Sequence, residues 1–350
     1  MRAHRGKRFF SRATPVPFER YRHPQIRRTP MITRRDFLRV SSLATAGASL
    51  GLHPGTLRLL MDDPLMTRAI PSSLHQIPII GLGGRWINID ATQEELDGHR
   101  AVLQALAEGA EGEGRVFDSA AGYGRGGSEI YAGQWAEEDG FGDNIFWATK
   151  VNVAQRGGGA ADPDAVRAQI ERSFERLRVP VIDLNQVHNM GDPETQLGIL
   201  QEYKEAGRIR HIGITTTRDY EGLADVMREY PIDFIGIDYA VDNRDAADMI
   251  FPLAQEQGIG VMVYLPFGRT RMWSRIGDRA LPEWAAEFDA YSWAQFMLKF
   301  VVAHPAVTVA VPGTSNPKHM LDNLGAGRGK LPSEGHLKQM VELVEALPGG

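Results

Sequence analysis

Eight times between residues 77 and 311 a short apolar run gives way to an amphipathic stretch, and this alternation constrains the fold more than any other feature of the chain. The apolar runs cover 77–82, 115–119, 144–151, 181–188, 209–215, 233–240, 258–265 and 306–311. They are near-continuous in apolar residues, as strands buried on both faces of a parallel sheet are. The stretches between them carry helix signals. Thr92 and Glu95 stand as a capping box. Asp162-Pro163 is an N-cap with proline at the first helical position, and Val166, Ile170, Phe174 and Leu177 then share one face. Gly207 stops a helix over 193–206. Further helices are expected over 219–229, 245–257, 291–303, 316–324 and, as a tail, 333–347. Strands each followed by a helix make an α/β protein, and eight such units in about 250 residues match a closed (β/α)8 TIM barrel. The loop 266–290, with Trp273, Pro282 and Trp284, is too long for a plain connection and reads as a lid or substrate wall.

A barrel of this kind carries its site at the C-terminal ends of its strands. The stretch from Val116 to Lys150 is the most informative there: a strand ends in Asp118, Tyr123 follows in a glycine-rich loop, and the next strand ends in Lys150. A lysine beside a tyrosine stabilises the phenolate, lowering the phenol from its free pKa of about 10. A carboxylate beside the lysine keeps it charged, and such a tyrosine can hand a proton to a carbonyl oxygen. His188, Thr215-Thr216, Tyr239, Tyr264 and Gly313-Thr314-Ser315-Asn316 stand at the later strand ends. Gly122, Gly124 and Gly127 also spell the GxGxxG of a dinucleotide fold. Against that reading stand Asp118 and Ser119 in the preceding strand, an earlier strand unit, and the polar surroundings of the motif.

Composition removes other chemistries. The chain has no cysteine, which excludes thiol catalysis, disulfides and thiolate metal sites. Its 10 histidines include no HExxH, so no metal site is expected. Ser128 lacks an elbow motif for a nucleophile. No apolar run reaches the ~18 residues of a membrane span. The first 48 residues hold 12 Lys/Arg and 2 Asp/Glu, which leaves 27 against 42 and a net charge of −15 for the rest. A body that acidic is a poor partner for nucleic acid or anionic lipid. Residues 1–50 read as a basic leader. Thr33-Arg34-Arg35-Asp36-Phe37-Leu38-Arg39 precedes a moderately hydrophobic stretch over 40–52, the pattern of a twin-arginine (Tat) export signal. The expectation is Tat export to the periplasm with cleavage near Ala46-Gly47-Ala48, or a cytoplasmic protein if translation starts at a later methionine such as Met66.

From about residue 68 to the C-terminus the chain resembles the aldo/keto reductases. FDSAAGYGRGGSE is similar to that family's D-x-A-x-x-Y-G-x-G-x-S-E, and WATK, IDLNQVH, GRIRHIGIT and VPGTSNPKHMLDN follow in the expected order. The resemblance implies a catalytic tetrad of Asp118, Tyr123, Lys150 and His188. Tyr123 would be the general acid, Lys150 and Asp118 would tune it, and His188 would orient the carbonyl. It implies a nicotinamide cofactor, NADP(H) before NAD(H), with Tyr264 stacked on the nicotinamide. Thr215 and Thr216 would stand at the carboxamide, and Gly313, Thr314, Ser315, Asn316, His319, Asp322 and Asn323 around the phosphates and adenine. Two departures are visible. Thr215, Thr216 and Gly236 replace the family's Ser-Asn and Gln, with Asp238 and Tyr239 nearby as substitutes. Gly313 and His319 stand where many members have Lys and Arg against the 2′-phosphate. Trp86, after the first strand, and Trp273 or Trp284 are candidate substrate walls, with ordinary packing the favoured reading for each. The implied function is reduction of an aldehyde or ketone, with a cofactor-bound sensor of negligible turnover as the alternative. A sugar-phosphate isomerase or aldolase on the same barrel rests on fold analogy alone.

Overall fold

The computed structural model of the chain describes residues 49–109, 115–154 and 157–349. The twin-arginine stretch lies outside the described residues. Eight parallel strands run in sequence order around a barrel: β3 (Leu82–Gly83), β4 (Arg115–Asp118), β5 (Ile145–Val151), β6 (Ile182–Val187), β7 (Ile209–Thr215), β8 (Phe234–Asp238), β9 (Gly260–Tyr264) and β10 (Val307–Ala310). Parallel bridges from Ile80 to Ala310 and from Gly83 to Gly313 close the ring between its last and first members. The α/β class and the (β/α)8 barrel expected from the sequence are therefore present.

Helices alternate with the strands: α2 (Gln93–Gly109), α3 (Gly127–Glu138), α4 (Pro163–Leu177), α5 (Pro193–Glu205), α6 (Tyr220–Glu229) and α7 (Ala246–Gln257). The short α8 (Arg271–Ile276) precedes α9 (Trp293–Ala303), α10 (Pro317–Gly325) and α11 (Glu334–Glu345). Their ends sit where the capping residues place them. The Thr92 amide donates to Glu95 at 2.8 Å, Asp162 caps α4, and Gly207 adopts φ 73° after α5. Almost every strand residue is buried, because one face meets the helices and the other fills the barrel.

Two elements differ from the expectation. The first run does not form one strand. Gln76–Pro78 (β2) pairs antiparallel with Thr67–Ala69 (β1), and the barrel strand begins only after it. The hairpin covers the bottom of the barrel, where Ile70 and Ile77 are wholly buried with Val116, Phe146, Leu184, Phe234 and Val309. Burying those two isoleucines under the barrel floor outweighs extending the parallel ladder. His211 Nε2, 3.0 Å from the Ser73 hydroxyl, ties the hairpin turn to that floor.

The packed body also starts before residue 68. Helix α1 (Pro54–Asp62) buries Thr56, Leu59 and Leu60, and Leu52 ahead of it joins the core. It lies against α10, beside the cleft described below.

Candidate functional site

Strands β4 and β5 end side by side, with Asp118 in register with Ala148, so that Asp118 and Lys150 converge at the mouth of the barrel. Lys150 Nζ donates to Asp118 Oδ2 at 2.6 Å and to the Ser119 carbonyl at 2.6 Å, and both charged side chains are almost wholly buried. Burial opposes each charge. It lifts the Asp118 carboxyl above its usual range despite the pull of Lys150. At Lys150 burial pushes down, but Asp118 and then Tyr123 outweigh it and hold the ammonium above its ordinary value. The ammonium–carboxylate form makes both short bonds, and it is the state this geometry supports.

Tyr123 lies over that pair, with Lys150 Nζ 4.9 Å from its ring centroid. Its loop is held from below. The Ser119 and Ser128 hydroxyls are 2.7 Å apart, and buried Glu129 accepts from Thr149 at 2.6 Å and from Arg176 at 3.2 Å. Arg176 also donates to the Ala121 carbonyl at 3.0 Å. The glycines of the GxGxxG pattern serve this packing. Gly124 has φ 55°, and a Cβ there would collide with the Ile87 carbonyl.

His188 follows β6, its ring 5.6 Å from that of Tyr123 and nearly perpendicular to it. Its Nδ1 is buried without a partner among the described residues. Burial first, then the charges of Lys150 and Arg85, push it down to about 3, so the imidazole is neutral at physiological pH. Tyr264, at the end of β9, receives a bond from Gln186 at 3.0 Å and reaches Asp118 Oδ1 at 3.4 Å. Burial, then Asp118 and Tyr123, hold its hydroxyl well above the ordinary phenol range.

Asp118, Tyr123, Lys150 and His188 form the floor of a cleft of about 1120 Å³. Thr215, Tyr264, Gly313, Thr314, His319, Asp322, Asn323 and Trp86 line it as well. Thr215 Oγ1 accepts from the Asn189 amide at 3.0 Å, whereas Thr216 is not on the wall. Its Oγ1 accepts from the amides of Arg218 and Asp219 and shapes a turn. Asp238 faces away, bound to Tyr220 at 2.8 Å and to Asn243 at 2.9 Å. Tyr239 packs behind the barrel on Phe251 and Phe300. Neither stands in for the missing amides. Gly236 has a local cause, because a Cβ there would collide with the Tyr264 ring.

In the last loop Asn316 caps α10, accepting from the Lys318 amide at 2.9 Å, and neither it nor Ser315 reaches the wall. Asp322 touches the cleft with its oxygens already engaged. It accepts from Ser292, from Gln295 at 2.8 Å and from Thr56 of α1 at 3.4 Å. Trp284 packs on Phe288 and Phe296, as expected. Trp86 and Trp273 differ from the packing expectation: both line the cleft, Trp86 59% exposed and Trp273, beside Phe267, 42% exposed. The loop 266–290 thus supplies a wall, stiffened by α8 and a 3-10 turn over Glu283–Phe288. Sequence reasoning missed Arg85 and Arg269, both on the wall. The exposed Trp86 next door was the only signal for the first, and the unusual length of the loop for the second.

A closed parallel barrel with a cluster of acidic, basic and phenolic side chains at its strand ends has the architecture of a barrel enzyme. The aldo/keto reductase family pattern matches residues 80–344, and the chain belongs to that family of oxidoreductases. It is 28% identical over 312 residues to aldo-keto reductase str7 of Strobilurus tenacellus, covering 77% of this chain and 90% of that protein. A probable aldo-keto reductase 1 of Glycine max is 28% identical over 294 residues, covering 73% of this chain and 81% of the relative. The fold is shared with an aldo/keto reductase of Klebsiella pneumoniae solved with NADP and acetate. That likeness has a TM-score of 0.64 at 22% identity, over 77% of this chain and 93% of the other.

Proposed function

We propose that the protein reduces an aldehyde or ketone to an alcohol with a nicotinamide cofactor, NADPH before NADH. The observation that carries this reading is the convergence of Tyr123, Lys150, Asp118 and His188 on one floor, with Lys150 4.9 Å from the Tyr123 ring. The cleft suits a dinucleotide in part. It continues from that floor to the start of α10, whose dipole favours an anion, and Thr314, His319 and Asn323 are on its wall. Those residues would hold the nucleotide, with Tyr264 and Thr215 nearer the floor. Bound there, a reduced nicotinamide supplies the hydride that adds to the carbonyl carbon. As the carbonyl π electrons move onto oxygen, Tyr123 delivers its proton there. The Lys150 ammonium stabilises the phenolate left behind, and Asp118 keeps that ammonium charged and in place. His188, being neutral, orients the carbonyl oxygen by a hydrogen bond rather than by charge. NADPH is preferred on the precedent of the Klebsiella structure.

One observation favours a second reading, a nucleotide-bound sensor: Thr216 and Gly236 offer no amide side chain to a carboxamide. The same experiment decides between them. Purified protein should oxidise NADPH in the presence of a panel of aldehydes and ketones. Tyr123→Phe should lose about 10²–10⁴ in kcat, with nucleotide affinity within a few-fold. Retention of a tenth of the wild-type kcat would remove Tyr123 from the mechanism, and no turnover by the wild type would leave the sensor.

We also propose Tat export to the periplasm, on the strength of Arg34-Arg35 and the soft stretch after it. Cleavage near residue 48 would spare α1, whereas a start at Met66 would remove it. Fractionation of cells expressing the full chain tests this, and protein confined to the cytoplasm would refute it.

A further inference from the structure

The cleft holds a cation that the proposed chemistry does not use. Lys150 is neutralised by Asp118 at 2.6 Å, and Arg269 is paired with Asp238 at 3.3 Å. The Asp322 carboxylate is engaged by Ser292 and Gln295. Among the described residues on the wall, Arg85 is the cation with no carboxylate or carbonyl bonded to its guanidinium. Its neighbour is the Trp86 ring, whose centroid lies 5.6 Å from Arg85 Cζ. The backbone that carries Arg85 is nevertheless tied to the catalytic loops. The Gly84 amide donates to the Asp118 carbonyl at 2.8 Å, and the Ile89 amide donates to the Gly124 carbonyl at 2.9 Å. Gly84 itself packs tightly on Phe117 and Ser128.

We propose that Arg85 selects carbonyl substrates that carry a carboxylate or similar anionic oxygen group beside the reacting carbon skeleton. The inference rests on the reductase reading and deepens it by naming a substrate class. Three features of the cleft point the same way. With the other charges paired and His188 neutral, the guanidinium leaves the catalytic end with an uncompensated positive charge. Its field reaches the reacting centre, since it is one of the two charges that help keep His188 unprotonated. The exposed Trp86 ring beside it offers an apolar face for the carbon skeleton. A guanidinium accepts a carboxylate through two parallel hydrogen bonds, which fixes orientation as well as attraction. The same chemistry is also present in the phosphates of a dinucleotide, and the test separates the two sources.

The experiment compares 4-carboxybenzaldehyde with its neutral analogue 4-nitrobenzaldehyde in the wild type, Arg85→Gln and Arg85→Lys. The quantity read is the ratio of kcat/KM for the two aldehydes, because intrinsic reactivity cancels when this ratio is compared between variants. Arg85→Gln should lower the ratio by about tenfold to a hundredfold, mostly through KM for the carboxylate. Arg85→Lys should retain part of the preference, and added salt should erode it in the wild type. An unchanged ratio in Arg85→Gln overturns the proposal. So does a KM for NADPH that rises equally with both aldehydes, which would assign the guanidinium to the nucleotide phosphates. If the wild type reduces neither aldehyde, the reductase reading rests on the wider carbonyl panel. Quenching of tryptophan emission by 4-carboxybenzaldehyde then decides the proposal by itself, with binding at least tenfold weaker in Arg85→Gln expected and equal binding refuting it.

Discussion

The two ends of the cleft use their polar groups differently. At the end proposed to be catalytic the polar groups of the family pattern turn to one another: Lys150 to Asp118, Tyr123 over Lys150, His188 against Tyr123. At the end built by β10 and α10 several have been taken up by structure. Asp322 is bound by Ser292, Gln295 and Thr56, Asn316 caps a helix, and across the barrel Thr216 shapes a turn. A residue that matches a binding pattern can bind a ligand only with atoms that the fold has left free. At the first end His188 meets that condition, its Nδ1 having no partner among the described residues; at the second Gly313, His319 and Asn323 line the wall, while the Thr314 hydroxyl accepts from the Asn316 amide at 3.1 Å.

The difference should show most strongly when each end loses one partner. Lys150→Met leaves the Asp118 carboxylate buried and unpaired, at a cost of about 3–5 kcal/mol in stability, besides the loss of turnover. The double variant Asp118→Asn with Lys150→Met should recover much of that stability and none of the activity. Denaturant melts of the wild type, each single variant (Lys150→Met and Asp118→Asn) and the double variant check this. Full additivity of the two single costs would show that the pair is not coupled.

Thr56→Val strikes the other end. Thr56 lies in α1, outside the repeating units, and its hydroxyl receives a bond from Gln295 at 2.8 Å beside Asp322. Losing that acceptor should cost about 1–3 kcal/mol. As a positioning residue it should raise KM for the nucleotide while leaving kcat nearly unchanged, and Thr56→Ser should restore the value. A kcat that falls with KM unchanged would tie α1 to the chemistry instead, and the contrast between the two ends would blur.

The smallest effect concerns acid. His188 is held at about 3, below the ordinary histidine value. Below pH of about 6.5 the unfolded chain takes up a proton there that the folded chain refuses. Stability therefore falls as pH drops through that value toward the folded pKa, and the contribution is flat above it. Thermal melts between pH 7.5 and 5 should show a steeper loss of Tm in the wild type than in His188→Gln. Equal slopes would mean that His188 protonates as readily in the fold as out of it.

Much of this was legible in the sequence, and the particular residues show why. The runs that became β4 to β10 are apolar on both faces, a pattern that records burial directly, and Asp162-Pro163 and Gly207 mark helix ends through the chemistry of the next residue or two. Asp118, Tyr123, Lys150 and His188 follow because strand ends in a parallel barrel share one rim, so their convergence is a consequence of topology. Local chemistry by itself determined the alternation, the caps and the residue types on that rim. Contacts between distant segments decided the rest. The hairpin of β1 and β2 forms because Ile77 meets Val116 and Val309 beneath the barrel. Asp322 is withdrawn by Thr56, 266 residues away in the chain. Arg85 stays free because none of the described carboxylates pairs with it. A side chain's type is written in the sequence, but whether its hydrogen-bonding capacity remains available depends on neighbours that only the closed barrel brings within bonding distance.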